Sequence, residues 1–353
     1  MINRASTLIL VLAMVALSRP VGGTAHASAD RELLVSSAST ASIASTAASA
    51  APKVNVAIQA GHWKAAELPE PLARLRTSTG ASGGGRTEAQ VTLDIAQRAA
   101  TMLRSKGLTV EVLPATVPTG YKADLFISLH ADGSASTQAR GYKVSTRWRS
   151  EVAALDALLV QSVESGYAKV TGMPQNGSIT RAMRGYYAYS TYRGEEYRLG
   201  ADTPAAILEM GFMSNAADRA VMFNKPDLVA RGVVAGVENY YAGRAEGLRL
   251  QAQAERQASA SPFGRSAVVL SNGVNIRDGA STNASKLASA NFGDSFPLLE
   301  RSNVSPSNSS GSSGGSPGSR GTQLASNSGW YKIDIPTSAA DAYITRDLVV
   351  VQE

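Results

Sequence analysis

No cysteine occurs among the 353 residues. That excludes disulfides and every thiolate-ligated metal site, so a metal in this chain must be held by His, Asp or Glu. Histidine is nearly as scarce, at three. Aromatic residues contribute only 6%. The helix-borne pattern His-Glu-x-x-His is missing, which excludes that class of metalloprotease. Long apolar runs are missing too: Leu8 to Leu17 is apolar throughout but too short to span a bilayer.

That short run fits an export signal. Arg4 supplies a positive start, the apolar stretch follows, and Ala25-His26-Ala27 is a small-x-small cleavage site. Residues 1–27 therefore read as a signal peptide, with an uncleaved membrane anchor as the alternative. Export would leave no membrane span after signal removal and no nucleic acid partner. The net charge of +6 and pI near 9.5 suit an anionic setting such as an acidic cell envelope, or serve solubility alone. Hydrophobic content of 44% supports an ordinary core, and the length allows two domains.

Residues 28–52 are dominated by Ser, Ala and Thr and read as a linker. From residue 53 the pattern alternates between strands and helices. Strands are expected at 54–60, 108–113, 123–129, 141–146 (at an edge) and 204–209. Helices are expected from the Thr87 N-cap to Ser105, and over 151–170, 216–223 and 227–241. This is an α/β class with a twisted, mostly parallel sheet and helices on both faces, over 53–244. The Gly-rich 77–85 reads as a mobile rim loop. The stretch 173–202 is rich in Tyr and Arg, suited to gripping sugar and carboxylate groups or to packing as a surface excursion. Residues 245–264 read as a linker or short helix. Short strands from 265 to 353, broken by Gly, Asn and Ser, read as a small all-β barrel, with 302–328 a disordered insertion.

The chemistry concentrates at strand ends. If His26 leaves with the signal, two histidines remain, His62 and His130, and each closes an apolar strand. In open α/β sheets the strand ends converge on one rim, where ligands bind. Glu88 lies on the inward stripe of the helix between them, although first-turn charge against the helix dipole would also explain it. Two imidazoles and one carboxylate form a known catalytic zinc set, and zinc suits them better than magnesium or calcium. A base is still needed, and Glu209, at the end of the strand Ala205-Ala206-Ile207-Leu208, is the candidate.

Four stretches carry a resemblance: Gly61-His62 after a strand, Glu88 opening a helix, Phe126-Ile127-Ser128-Leu129-His130-Ala131-Asp132, and Leu208-Glu209-Met210-Gly211-Phe212-Met213-Ser214-Asn215. Together they resemble the zinc-dependent N-acetylmuramoyl-L-alanine amidases over about 53–243. The resemblance implies that Zn2+ is held by His62, Glu88 and His130, that Glu209 is the catalytic base, and that peptidoglycan is the substrate. The chain departs from the family in having Gln59-Ala60-Gly61-His62-Trp63-Lys64 where Asp-Pro-Gly-His-Gly-Gly is usual. Gly273-Val274-Asn275-Ile276-Arg277 and Gly329-Trp330-Tyr331-Lys332-Ile333 resemble the bacterial SH3-like domain, which implies cell-wall binding or a passive folding module. The expectation is a secreted enzyme; the rival readings are a non-catalytic wall-binding protein and a zinc peptidase acting on another wall-peptide bond.

Overall fold

The computed structural model describes residues 53–189, 199–300, 329–335 and 340–353. The expected signal 1–27, linker 28–52 and insertion 302–328 lie outside the described residues. The first strand, β1 (Val56–Ala60), is followed by a small ribbon of β2 (Ser82–Gly83) and β3 (Arg86–Thr87). The helix α1 (Glu88–Ser105) starts at a capping box, in which Thr87 accepts from the Gln90 N–H and Gln90 accepts from the Thr87 N–H. Next come β4 (Val110–Leu113), β5 (Leu125–Asp132), β6 (Lys143–Ser145) and β7 (Arg149–Ser150). The helices α2 (Ala153–Thr171) and α3 (Arg181–Arg184) precede β8 (Ala205–Phe212), and α4 (Ala216–Asn224) and α5 (Pro226–Ala260) follow it.

The main sheet has the order β4-β1-β5-β8-β6. The first four strands are parallel, and β6 closes the edge antiparallel to β8. Alternation divides the side chains between two faces. Val56, Ile58, Leu125, Ile127, Leu129, Ala206 and Leu208 pack against α1, α2 and α5 in the largest core cluster. Ala57, Phe126, Ala205 and Ile207 point the other way. Helices were expected on both faces, but this second face is covered by α3, by Tyr186 and Tyr189 after it, and by Leu199. The reason lies in the strands: the second face also carries Gln59, Ser128, His130 and Glu209, and buried polar groups need hydrogen-bonding cover.

Two further corrections concern the C-terminal half. Residues 245–260, expected as linker or short helix, continue α5 without a break. Leu250, Ala254 and Ala258 line one side of that extension at a spacing of four and are buried. The remaining strands are β9 (Ser266–Val269), β10 (Val274–Arg277), β11 (Lys286–Ala290), β12 (Ser295–Pro297), β13 (Trp330–Ile333), β14 (Ala342–Thr345) and β15 (Val349–Gln352). They form two sheets, β11-β10-β14-β13 and β12-β9-β15-β7. The second is not self-contained: it takes β7 from the N-terminal half, parallel to β15. Leu250 and Ala254 of α5, Ala153 and Ala157 of α2, and Val268 and Val350 of the β module share one apolar cluster. No helix among the described residues is long and apolar enough to cross a membrane.

Candidate metal centre and active site

Gly61 ends β1 against the neighbouring strand. A Cβ there would lie 2.6 Å from His130 Cε1 and 2.6 Å from the Leu129 carbonyl, so only glycine lets the two strand ends approach. His62 follows in the left-handed region, at φ 61°, a conformation rare for a side-chain-bearing residue. Its Nδ1 lies 2.7 Å from the Ser78 carbonyl. A carbonyl only accepts, so Nδ1 carries a proton, and in the neutral ring the lone pair is on Nε2. Nε2 faces Glu88 Oε1 at 3.5 Å.

Glu88 is the first residue of α1 and is buried. Its Oε1 lies 2.9 Å from His130 Nδ1 and accepts from the Ala131 N–H at 3.0 Å; its Oε2 accepts from the Ala81 N–H at 2.7 Å. Burial favours the neutral acid, but the His130 hydrogen bond, the two imidazoles and the Ala131 N–H outweigh it and hold the carboxyl below its ordinary pKa. The Gly-rich loop expected to be mobile is therefore engaged with the site through Ser78 and Ala81. It packs so closely that a Cβ on Gly80 would sit 2.5 Å from Glu88 Oε2 and 2.7 Å from the His62 ring. One donor atom from each of His62, Glu88 and His130 lies within 4.8 Å of the others, the spacing a single ion requires. The structure thus brings these three sequence-predicted residues together.

Glu209 stands beside them. It pairs in register with His130 on β5 and with Lys143 on β6, so the three form one row across the sheet. A shift of register between His130 and Asp132 then bends the strand end, as bulges near active sites do. Lys143 is buried and ion-paired with Asp132. Glu209 Oε2 is buried without a hydrogen-bond partner among the described residues. Burial raises its pKa to about 7; the charges of Glu88 and Asp132 push the same way, against His130 and Lys143. An acid poised near neutrality can both accept and return a proton.

Several neighbours of the cluster escaped the sequence reading. Lys143 and Asp132 had no assigned role, and nor did Gln59, Ser128 and Tyr186, which lie behind His130. Strand alternation could have placed Gln59 and Ser128 on the site face; Tyr186 stood in the Tyr- and Arg-rich stretch, but nothing there pointed to His130 as its partner. Arg86 lies over the Phe223 ring at 5.2 Å and 3.7 Å from Asp94. Tyr192, Tyr197, Arg193 and Arg198 lie outside the described residues.

A parallel α/β sheet whose rim gathers two imidazoles and a carboxylate, with a second carboxylic acid alongside, defines a hydrolase-type site. The model of the Amidase_3 family, N-acetylmuramoyl-L-alanine amidase, matches residues 56–239. The chain belongs to that family, and its enzyme class is N-acetylmuramoyl-L-alanine amidase, acting on peptidoglycan. Among solved structures it is similar to an N-acetylmuramoyl-L-alanine amidase from Clostridium difficile 630, at 19% identity and TM-score 0.38, over 54% of this chain and 98% of that one. It is also similar to the catalytic domain of CwlV from Bacillus (Paenibacillus) polymyxa var. colistinus, at 21% identity and TM-score 0.37, over 54% of this chain and 98% of that one. For the amidase Ami1 from Mycobacterium smegmatis the values are 17% and 0.38, over 54% and 97%. No curated protein matches the chain.

Proposed function

We propose that the chain is an exported, zinc-dependent amidase that cleaves the bond between the lactyl group of N-acetylmuramic acid and L-alanine. In this reading His62, Glu88 and His130 hold the metal and Glu209 carries the proton. The observation that supports it most is the convergence of one donor from each of the three residues within 4.8 Å, with Glu209 in register beside His130. The donor chemistry fits zinc: two nitrogens and one carboxylate oxygen, where magnesium and calcium prefer oxygen alone. The hydrogen bond on the far side of His62 also fits, since it holds the Nδ1 proton and turns Nε2 towards the cluster.

Zinc bound there polarises the scissile carbonyl and lowers the pKa of a water towards ~7. Glu209 accepts a proton from the attacking water as the new C–O bond forms. It delivers that proton to the amide nitrogen as the C–N bond breaks, leaving a free alanine amine and a lactyl carboxylic acid, which loses its proton to solvent. Lys143, anchored by Asp132, keeps a positive charge opposite Glu209 and limits the rise of its pKa.

The remaining assignments belong to the same proposal. Residues 1–27 are the export signal, 28–52 a linker, 53–244 the catalytic unit and 265–353 an SH3-like module that adds affinity for the wall. The short antiparallel strands of that module, and their own apolar core around Ile276, Tyr331 and Ile344, support this reading. The test uses the full chain on purified muropeptides, with products identified by mass spectrometry and metal content measured in parallel. Wild type is expected to hold about one zinc and to release free alanine amino termini. Glu209→Ala is expected to keep the zinc and lose turnover by ~10²-fold or more. Wild-type turnover in that variant would refute the role of Glu209. Cleavage at another amide would favour the wall-peptide peptidase, and wall binding without hydrolysis the non-catalytic protein.

A further inference from the structure

Behind His130 runs a buried chain of hydrogen bonds with a defined direction. Gln59 Nε2 donates to the Ala115 carbonyl at 3.0 Å, the Pro114 carbonyl at 3.2 Å and Tyr187 Oη at 2.9 Å. The reverse amide orientation would set its oxygen against two carbonyls, so Gln59 Oε1 must face the other way. There it receives two hydroxyl protons, from Tyr186 at 2.7 Å and Ser128 at 2.8 Å. The Tyr186 proton is thereby committed to Gln59. What Tyr186 Oη offers to His130 Nε2, 3.2 Å away, is a lone pair. His130 must meet it with an N–H; the proton that Nδ1 shares with Glu88 Oε1 in the metal-free site is then the one a metal displaces, which leaves the lone pair of the neutral ring on Nδ1. The two rings also meet edge-on, with centroids 5.3 Å apart.

We propose that Tyr186 is a positioning residue: with Gln59 it fixes which nitrogen of His130 carries the proton and how the ring is turned, so that Nδ1 is ready for the metal. The proposal rests on the reading of His62, Glu88 and His130 as metal ligands. The mirrored arrangement at His62 agrees with it, because there the Ser78 carbonyl fixes the far nitrogen of the ring. The two imidazoles are thus oriented by different means, one from backbone and one from a side-chain relay. Partners of ligand histidines typically contribute 10–100-fold in metal affinity.

The test compares zinc affinity, by competition with a chelator, in the full-length wild type, Tyr186→Phe and Thr146→Val. Thr146 is a control: its buried hydroxyl donates to the Ala205 carbonyl at 2.7 Å, and it belongs to neither the ligand cluster nor the relay. Tyr186→Phe is expected to bind zinc about 10-fold more weakly, with Thr146→Val unchanged. Imidazole 15N spectra of the zinc-loaded wild type need no variant, and with three histidines in the chain they are simple to assign. They are expected to show His130 with its proton on Nε2. Equal affinity in wild type and Tyr186→Phe, or a His130 protonated on Nδ1, would overturn the proposal. A wild type that takes up no zinc would instead sink the underlying reading of the site, and is recognised before any variant is compared.

Discussion

Glu209 occupies a position that most carboxylates avoid, inside an apolar strand and beside two other acids. Burial first, then Glu88 and Asp132, lift its pKa to about 7, while His130 and Lys143 hold it from rising further. A base works only when ionised, so turnover must fall as pH drops through this pKa. A divalent cation at the neighbouring cluster adds positive charge and draws the pKa down. The acid limb of kcat against pH is therefore expected to have its midpoint at or below about 7, and residual activity in Glu209→Gln to lack that limb. A limb centred well above neutrality would contradict the assignment. His130 behaves in the opposite sense: burial opposes its protonation, but Glu88, Glu209 and Asp132 outweigh burial and raise its pKa. Protons and a metal therefore compete for this ring, and the competition favours the metal as pH rises.

At the scale of elements, α3 and the tyrosines after it link the site to the C-terminal module. The Arg184 guanidinium donates to the Arg346 carbonyl at 2.9 Å, the Asp347 carbonyl at 3.1 Å and the Val349 carbonyl, and lies over the Trp148 ring at 4.1 Å. Burial lowers its pKa to about 10. Arg184→Met would leave those carbonyls without their donor, at a cost of about 2–4 kcal/mol. Chemical denaturation is expected to show that loss, and an unchanged midpoint would contradict the strut. Little of this was legible in the sequence. The parallel strands were, because β5 and β8 are mostly apolar runs buried on both faces and carry His130 and Glu209 in their C-terminal halves. The approach of His62, Glu88 and His130 to one another was too, since two of three histidines lie at or near the C-terminal ends of such strands. The extension of α5 was not: Leu250, Ala254 and Ala258 are spread among Gln, Arg and Glu, and the surface they cover includes Val268 and Val350, distant in the chain. Tyr186 was hidden for the same reason, as its bond to Gln59 spans 127 residues.

For the molecule as a whole, the catalytic sheet and the β module are built into one another. Strand β7 completes a module sheet, Gln251 receives the Ala154 N–H at 2.9 Å, and Gln352 receives that of Ala153 at 3.1 Å. An apolar cluster drawn from α2, α5, β9 and β15 fills the junction. Such shared burial couples unfolding, so calorimetry of the full chain is expected to give one transition with calorimetric and van't Hoff enthalpies in agreement; two separated transitions would contradict it. The central claim, however, is that one divalent ion sits among His62, Glu88 and His130. Anomalous diffraction at the zinc edge, on crystals of the full chain, tests this most directly. The account predicts a single peak about 2.0–2.2 Å from His62 Nε2, the Glu88 carboxylate and His130 Nδ1. A zinc-supplied crystal with no peak there, or with its peak on other residues, would contradict it.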